Sequence, residues 1–131
     1  MLKIEPPLNG YSKTINKLTI EEYQFDNLIS LAIPLNSERK CKLNFKKSLG
    51  ESMPYIEKSV ANKSGVLGFR IGLDLLLVCN STNSSFSRKT VPLLKQVFYI
   101  TDQTGGWCGI RVHGERVIEM LERICPLNLS I

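Results

Sequence analysis

The segment that most constrains the fold is "GVLGFRIGLDLLLVCN", residues 65–80. Two apolar runs flank Gly72-Leu73, with Asp74 near the turn, and this pattern predicts two antiparallel strands joined as a hairpin. An all-parallel sheet joins its strands through long crossover connections, which a hairpin does not provide. The segment therefore excludes an all-parallel nucleotide-binding sheet and favours an antiparallel or mixed one.

Two elements are predicted before this hairpin. "NLISLAIPL" is typical of a strand that ends at its proline. "NFKKSLGESMP" places Phe45, Leu49 and Met53 at steps of four, which predicts a short amphipathic helix closed by Pro54. Gly50 is expected to weaken the middle of this helix.

The elements after the hairpin complete an α+β pattern. Pro92 suits the first turn of a helix that begins near Val91 or earlier. "FYITD" and "GWCGIRVHG" predict two strands, and "ERVIEMLERIC" predicts the clearest helix of the chain. The order β-α-β-β-α-β-β-α indicates a ferredoxin-like two-layer sandwich in its first six elements, with helices on one face of a mixed, mainly antiparallel sheet.

The domain organisation follows from length and from the first residues. A chain of 131 residues is expected to form one domain. Residues 1–24 are polar, and Pro6 and Pro7 bias their predecessors away from helix, so we predict an N-terminal arm that is disordered alone or laid along a partner. Residues 25–131 are then a single α+β domain.

Composition narrows the class of protein. The 43% hydrophobic and 22% charged residues are ordinary for a globular domain, and no apolar run approaches a membrane span. The N-terminal prolines stand where a secretory signal needs an apolar segment, which predicts a cytoplasmic protein. The four cysteines form no C-x-x-C pair, and there is one histidine, so we expect free buried thiols and no zinc site.

The net charge of +5 is concentrated in "ERKCKLNFKK". This cluster could face phosphates, but it has no interleaved aromatic residues, and Glu38 and Glu51 flank it. A solvated face, or one that meets an acidic partner subunit, is the favoured interpretation. We therefore expect neither nucleic acid nor membrane as a partner.

The strand around residues 107–113 is the candidate interaction surface. Alternation places Cys108, Ile110 and Val112 on a predicted core face, and Trp107, Arg111 and His113 on the opposite face. Trp and Arg often dominate binding energy, so an interface is favoured over a Trp covered by Arg111 through a cation–π contact.

Catalytic chemistry is weakly indicated. His113 would need a carboxylate to orient it, and Glu115 is too close in a turn to serve. Asp102 either faces the open edge of the sheet or is a turn residue that accepts backbone N–H groups. No nucleophile is paired with a base, and no paired carboxylates are evident, so the chain is predicted to be non-catalytic.

The segment "ITDQTGGWCGIRVHGERVIEMLERICPLNL" resembles the gamma subunit of heterotetrameric sarcosine oxidase, a relative in fold of the glycine-cleavage aminomethyltransferase. Asp102, Gln103 and Thr104 match its Asp-Gln-Ser, and residues 112–115 match its strand-to-helix junction. "CPLNL" is similar to its closing Cys-Pro-Leu-Asp-Leu. The similarity covers residues 27–131, strongly over the last thirty and weakly before them, where Leu73 and Leu76 replace the usual Pro and Trp.

The resemblance implies an accessory subunit of a complex that oxidatively demethylates sarcosine or a related N-methyl amino acid and passes the one-carbon unit to tetrahydrofolate. FAD, FMN and NAD are expected on the alpha and beta subunits, zinc on delta, and no cofactor on this chain. Family members continue beyond the closing motif, so we expect a shortened version or a sheet completed by a partner. The alternatives are a folate-binding one-carbon-transfer domain using Asp102, and a basic nucleic-acid-binding module at residues 38–47.

Overall fold

The computed structural model describes residues 5–80 and 85–129. The chain forms two compact units. The terminal unit combines the N-terminal residues through Gln24 with the residues from Cys108 onward, and the central unit spans Phe25–Trp107. The strands are β1 (Ser12–Ile15), β2 (Leu18–Tyr23), β3 (Asn27–Ala32), β4 (Ser59–Ala61), β5 (Val66–Arg70), β6 (Leu75–Asn80), β7 (Tyr99–Asp102) and β8 (Gly109–Gly114), and the helices are α1 (Glu38–Leu49), α2 (Val91–Leu94) and α3 (Val117–Glu122).

The central unit contains a five-stranded sheet in the order β4-β5-β6-β3-β7, and each described pairing is antiparallel. Leaving out the short β4, the chain order is β3-α1-β5-β6-α2-β7, the βαββαβ arrangement of a ferredoxin-like sandwich. The predicted α+β fold class is confirmed. The predicted hairpin is β5 and β6, with Arg70 opposite Leu76 at its turn end.

The main core lies between this sheet and its helices. Alternation along β3 and β6 places Ile29, Leu31, Leu76 and Val78 in one buried cluster with Phe45 of α1. Complete burial of a side chain such as Phe45 contributes about 1.5–3 kcal/mol. A Cβ at Gly68 on β5 would lie 3.3 Å from the Phe45 ring, so this glycine lets α1 approach the sheet closely.

The bounds of α1 differ from the sequence prediction, whereas the second helix begins early, as one of its two predicted starts allowed. α1 begins at Glu38, earlier than predicted, and Gly50 ends it instead of weakening its middle. Gly50 has a φ of 78°, and its N–H donates to Lys46 O at 2.9 Å, which is a left-handed C-terminal cap. A π-helical turn (Phe86–Thr90) precedes α2, so the second helix begins before Val91.

The terminal unit corrects the predicted arm. Residues 1–4 lie outside the described residues, but β1 and β2 form an antiparallel hairpin, and β2 pairs along its whole length with β8. The prediction failed because this pairing joins residues far apart in sequence, which a local pattern does not reveal. No residue of β1, β2, β8 or α3 is buried, so the terminal unit lacks a closed core of its own within these elements.

Candidate functional site

The Asp-Gln-Thr motif stands at the end of edge strand β7. Asp102 Oδ1 accepts hydrogen bonds from the Thr104 hydroxyl at 2.7 Å and from the Thr104 backbone N–H at 3.0 Å. These two hydrogen bonds, the hydroxyl first, lower the pKa of the Asp102 carboxyl. Asp102 is therefore the turn residue that was one of its two predicted interpretations.

The other two residues of the motif bind β3. The Gln103 N–H donates to Leu28 O at 2.8 Å, and the Leu28 N–H donates to Thr104 Oγ1 at 3.0 Å. The Gln103 side-chain amide lies 3.5 Å from Ser30 Oγ. Asp-Gln-Thr thus extends the pairing of β7 with β3 beyond the last strand residue. The motif therefore holds the end of edge strand β7 against β3. The Asp102 carboxylate accepts its two hydrogen bonds from Thr104, which belongs to the same motif.

Trp107 is not part of the strand that was predicted to carry it. It is extended, follows a 3₁₀ turn (Thr104–Gly106), is 50% exposed and is the last residue of the central unit. Arg111 and His113 lie on β8 in the terminal unit. The three residues therefore do not share one strand face.

Arg111 and His113 do share a face of β8, and β2 supplies their partners. Arg111 lies opposite Glu21 in the antiparallel ladder, and His113 lies opposite Thr19. Glu21 Oε1 is 3.4 Å from His113 Nε2 and 3.9 Å from Arg111 Nη1. The Arg111 guanidinium carbon is 4.9 Å from the centre of the Tyr23 ring. Tyr23, not Trp107, thus makes the cation–π contact with Arg111.

Glu21 is the carboxylate that the sequence analysis did not find for His113. The signal was the alternation of "LTIEEY", where Leu18 and Ile20 point one way and Thr19 and Glu21 the other. Both His113 and Arg111 remain more than half exposed, so their pairs with Glu21 are worth little in stability. The exposed side chains of Arg111 and His113 thus form a polar surface that can bind a polar surface of another molecule.

The predicted core face of this strand is not a core. Cys108 is exposed and precedes β8, Ile110 is exposed, and Val112 is half-buried. A three-stranded sheet with one short helix has too little apolar surface to close over these side chains. Apolar residues of the terminal unit therefore remain open to solvent.

The cysteines agree in part with the prediction. All four are free thiols, but Cys41 and Cys79 alone are buried, whereas Cys125 is half-buried. Burial raises the pKa of the Cys41 thiol, with a further contribution from Glu38, and burial also raises the pKa of Cys79. These two cysteines are therefore protonated, unreactive core residues at neutral pH.

Sequence reasoning also missed a buried arginine. Arg70 is 5% exposed, and its guanidinium donates to Leu73 O at 2.7 Å and to Glu38 Oε1 at 3.1 Å. The hydrogen bond from Arg70 is the main reason that the pKa of Glu38 is lowered. The contacts join the start of α1 to the β5–β6 turn, so the role of Arg70 is structural.

The described residues contain neither a candidate metal cluster nor a helix that could span a membrane. Within 5–80 and 85–129, no three His, Cys, Asp or Glu side chains are grouped so that they could hold a metal ion. In the same part of the chain, every helix is too short or too polar to cross a bilayer.

The fold is shared with a known protein. The chain is similar to a chain of the heterotetrameric sarcosine oxidase from Corynebacterium sp. U-96, solved in complex with pyrrole 2-carboxylate, with a TM-score of 0.67 and 17% sequence identity. The match covers 91% of this chain and 62% of that one, so this chain spans less than two thirds of its neighbour. No protein-family profile matches the sequence, and no curated protein matches it. The resemblance inferred from the motif is confirmed at the level of the fold.

Proposed function

We propose that this chain is a non-catalytic structural subunit of a heteromeric sarcosine oxidase-like complex. The observation that carries the proposal is the likeness in fold to a chain of a heterotetrameric sarcosine oxidase over 91% of this chain. The motif that first suggested the resemblance is used here for sheet pairing, which supports a structural role. It is also the reason to prefer this function over folate binding, because Asp102 is engaged by Thr104.

Uncovered apolar surface supports a subunit over an isolated protein. On the sheet face that does not meet the helices, Leu75 and Tyr99 both lie opposite Ala32 of β3. Tyr99 is 72% exposed, and Leu75 and Phe69 are each 37% exposed. Several exposed apolar side chains on one sheet face are a feature of binding surfaces. We name Phe69, Leu75 and Tyr99 the open sheet face.

The finer features of the proposal come from the resemblance in sequence. The chain corresponds to a gamma subunit, and its partners correspond to alpha, beta and delta subunits that hold FAD, FMN, NAD and zinc. The complex demethylates sarcosine or a related N-methyl amino acid in the cytoplasm and passes the one-carbon unit to tetrahydrofolate. The four free thiols fit a reducing compartment.

Co-expression tests this function. The chain is produced with the candidate large subunits encoded in the same genome, one of which carries an affinity tag, and sarcosine oxidation is measured with and without the chain. We expect co-purification in a fixed ratio, and loss of assembly or turnover when the chain is omitted. The proposal is overturned if the chain is monodisperse and folded alone while the oxidase assembles and turns over without it.

A further inference from the structure

The excess of positive over negative charge lies in the helices of the central unit. α1 and the helical segment 86–95 carry eight basic residues and one acidic residue, whereas the rest of the chain carries nine basic and eleven acidic residues. The net charge of +5 therefore arises from this layer alone. We name it the basic helix layer, and its basic residues are Arg39, Lys40, Lys42, Lys46, Lys47, Arg88, Lys89 and Lys95.

These charges lie together and are almost unneutralised. The two helices pack side by side, since the Asn44 side chain donates to Leu93 O at 2.9 Å. All eight basic side chains are exposed, and within the described residues only Lys42 has an ion-pair partner, Glu38 at 3.4 Å. Glu38 also binds Arg70, so it neutralises the layer only in part.

Part of this arrangement costs the helix stability, although Lys46 and Lys47 stand in the last turn of α1, where the helix dipole favours positive charge. Arg39 and Lys40 stand in the first turn of α1, where the helix dipole disfavours positive charge. Lys42 and Lys46 are four residues apart on one face, a spacing at which like charges repel. A cost of this kind in the folded state points to a use for the charge outside the folded chain.

We infer that the basic helix layer docks onto an acidic protein surface of a partner subunit. This inference rests on the proposed function and names the surface and the partner chemistry that it requires. Leu43 is 66% exposed amid these charges, and an apolar centre with a charged rim is the usual composition of a protein interface. The aromatic residues of these two helices, Phe45 and Phe86, are buried, so neither offers the stacking surface that single-stranded nucleic acid requires.

Charge reversal in the co-expressed complex tests the inference. The variant Lys40→Glu/Lys47→Glu reverses two charges of the layer. The control Lys58→Glu/Lys63→Glu makes the same change of net charge at exposed positions of the central unit outside the helices. We expect the first variant to weaken assembly at least about tenfold at ~0.15 M salt, and its assembly to depend less on salt than that of the wild type. The control should change assembly by less than about twofold.

A crosslinking arm locates the contact. A photoreactive phenylalanine analogue replaces Leu43, and the crosslinked partner peptide is identified by mass spectrometry. A partner segment rich in Asp and Glu supports the inference, whereas the absence of crosslinks within the assembled complex overturns it.

The remaining outcomes separate the two proposals. If the wild-type chain assembles and the Lys40→Glu/Lys47→Glu variant assembles equally well, the inference fails and the proposed function stands. If the wild-type chain does not assemble, both fail. Retention of the wild-type chain on heparin, or on vesicles containing phosphatidylserine, at ~0.15 M salt and with the same dependence on Lys40 and Lys47, would assign the layer to a polyanion and overturn docking to a protein.

Discussion

Thr104 helps to hold the end of edge strand β7 against β3. Its hydroxyl group donates to Asp102 and accepts the backbone N–H of Leu28, which begins the pairing between β7 and β3. A single side chain therefore satisfies a carboxylate and a backbone donor. The resemblance pairs this position with serine, which has the same hydroxyl group.

We predict that Thr104→Val destabilises the central unit. Valine keeps the shape but removes the hydroxyl, so the Leu28 N–H loses its acceptor, at a cost of about 1–3 kcal/mol. Chemical denaturation measures the loss, and amide hydrogen exchange should show faster exchange at Leu28. Thr104→Ser is the matched control and should retain most of the stability. Equal stability of the valine and wild-type chains would show that the hydroxyl group is not used.

The same substitution should alter the response to acid. The folded-state pKa of Asp102 is lowered, so its stabilising contribution is fully present above the ordinary aspartate value of about 3.9 and is lost as the pH falls through the lowered value. Thr104→Val removes the larger of the two causes. The stability difference between wild type and variant should therefore shrink below about pH 4.

Among the elements, β8 depends on a glycine that no other residue can replace without strain. Gly114 has a φ of 124°, and a Cβ on it would lie 2.1 Å from Lys17 O, which is closer than van der Waals contact allows. It pairs with Leu18 at the end of the β2–β8 ladder. Close backbone approach at this point is what lets the two strands pair over their full length.

Gly114→Ala should therefore open the β2–β8 ladder. The strained φ and the backbone contact together cost on the order of 1–3 kcal/mol. Hydrogen exchange measured by mass spectrometry should show lost protection in β2 and β8 but not in β5 and β6. Gly105→Ala, where a Cβ meets nothing within 4 Å, is the control. Unchanged exchange in β2 would contradict the described pairing.

The basic helix layer gives a second prediction for an element. Lys40→Glu places an acidic residue in the first turn of α1 and removes a repelling charge, so it should stabilise the chain by about 0.3–1 kcal/mol. Thermal unfolding at low salt measures the gain, which should decline at high salt because of screening. Lys63→Glu, outside the helices, should give no comparable gain. A destabilised Lys40→Glu variant would mean that Lys40 has an intramolecular role.

The central unit could be predicted from sequence because its signals are local. The alternation in residues 65–80 and the spacing of Phe45 and Leu49 each place neighbours in sequence on one buried face. Glu21 could not be assigned to His113 in the same way. The alternation in β2 places Glu21 on one face with Thr19, but its contact with His113 depends on β2 pairing with a strand near the other end of the chain, which alternation alone does not predict.

At the scale of the whole molecule, polar and apolar surfaces both remain without partners in the described residues. The basic helix layer covers one side of the central sheet, and the open sheet face belongs to the other side. On that second side, Leu28, Leu77 and Cys79 are buried, whereas Leu75 and Tyr99 are exposed. A sheet face that buries some apolar side chains and leaves others exposed to solvent is expected in a protein that binds partner subunits there.

This view predicts that the open sheet face governs both assembly and solubility. Leu75→Thr/Tyr99→Thr keeps β-forming residues but removes apolar surface, so the chain alone should aggregate less, with its unfolding midpoint shifted by less than about 4 °C. Assembly with the large subunits should weaken at least about tenfold, because aromatic residues on such faces carry much of the binding energy. Light scattering and co-purification measure the two effects. Leu35→Thr is the control, since Leu35 is exposed beyond the end of β3. If the double variant assembled as well as the control, the open sheet face would be an ordinary solvent surface, and the contact with partners would have to lie elsewhere.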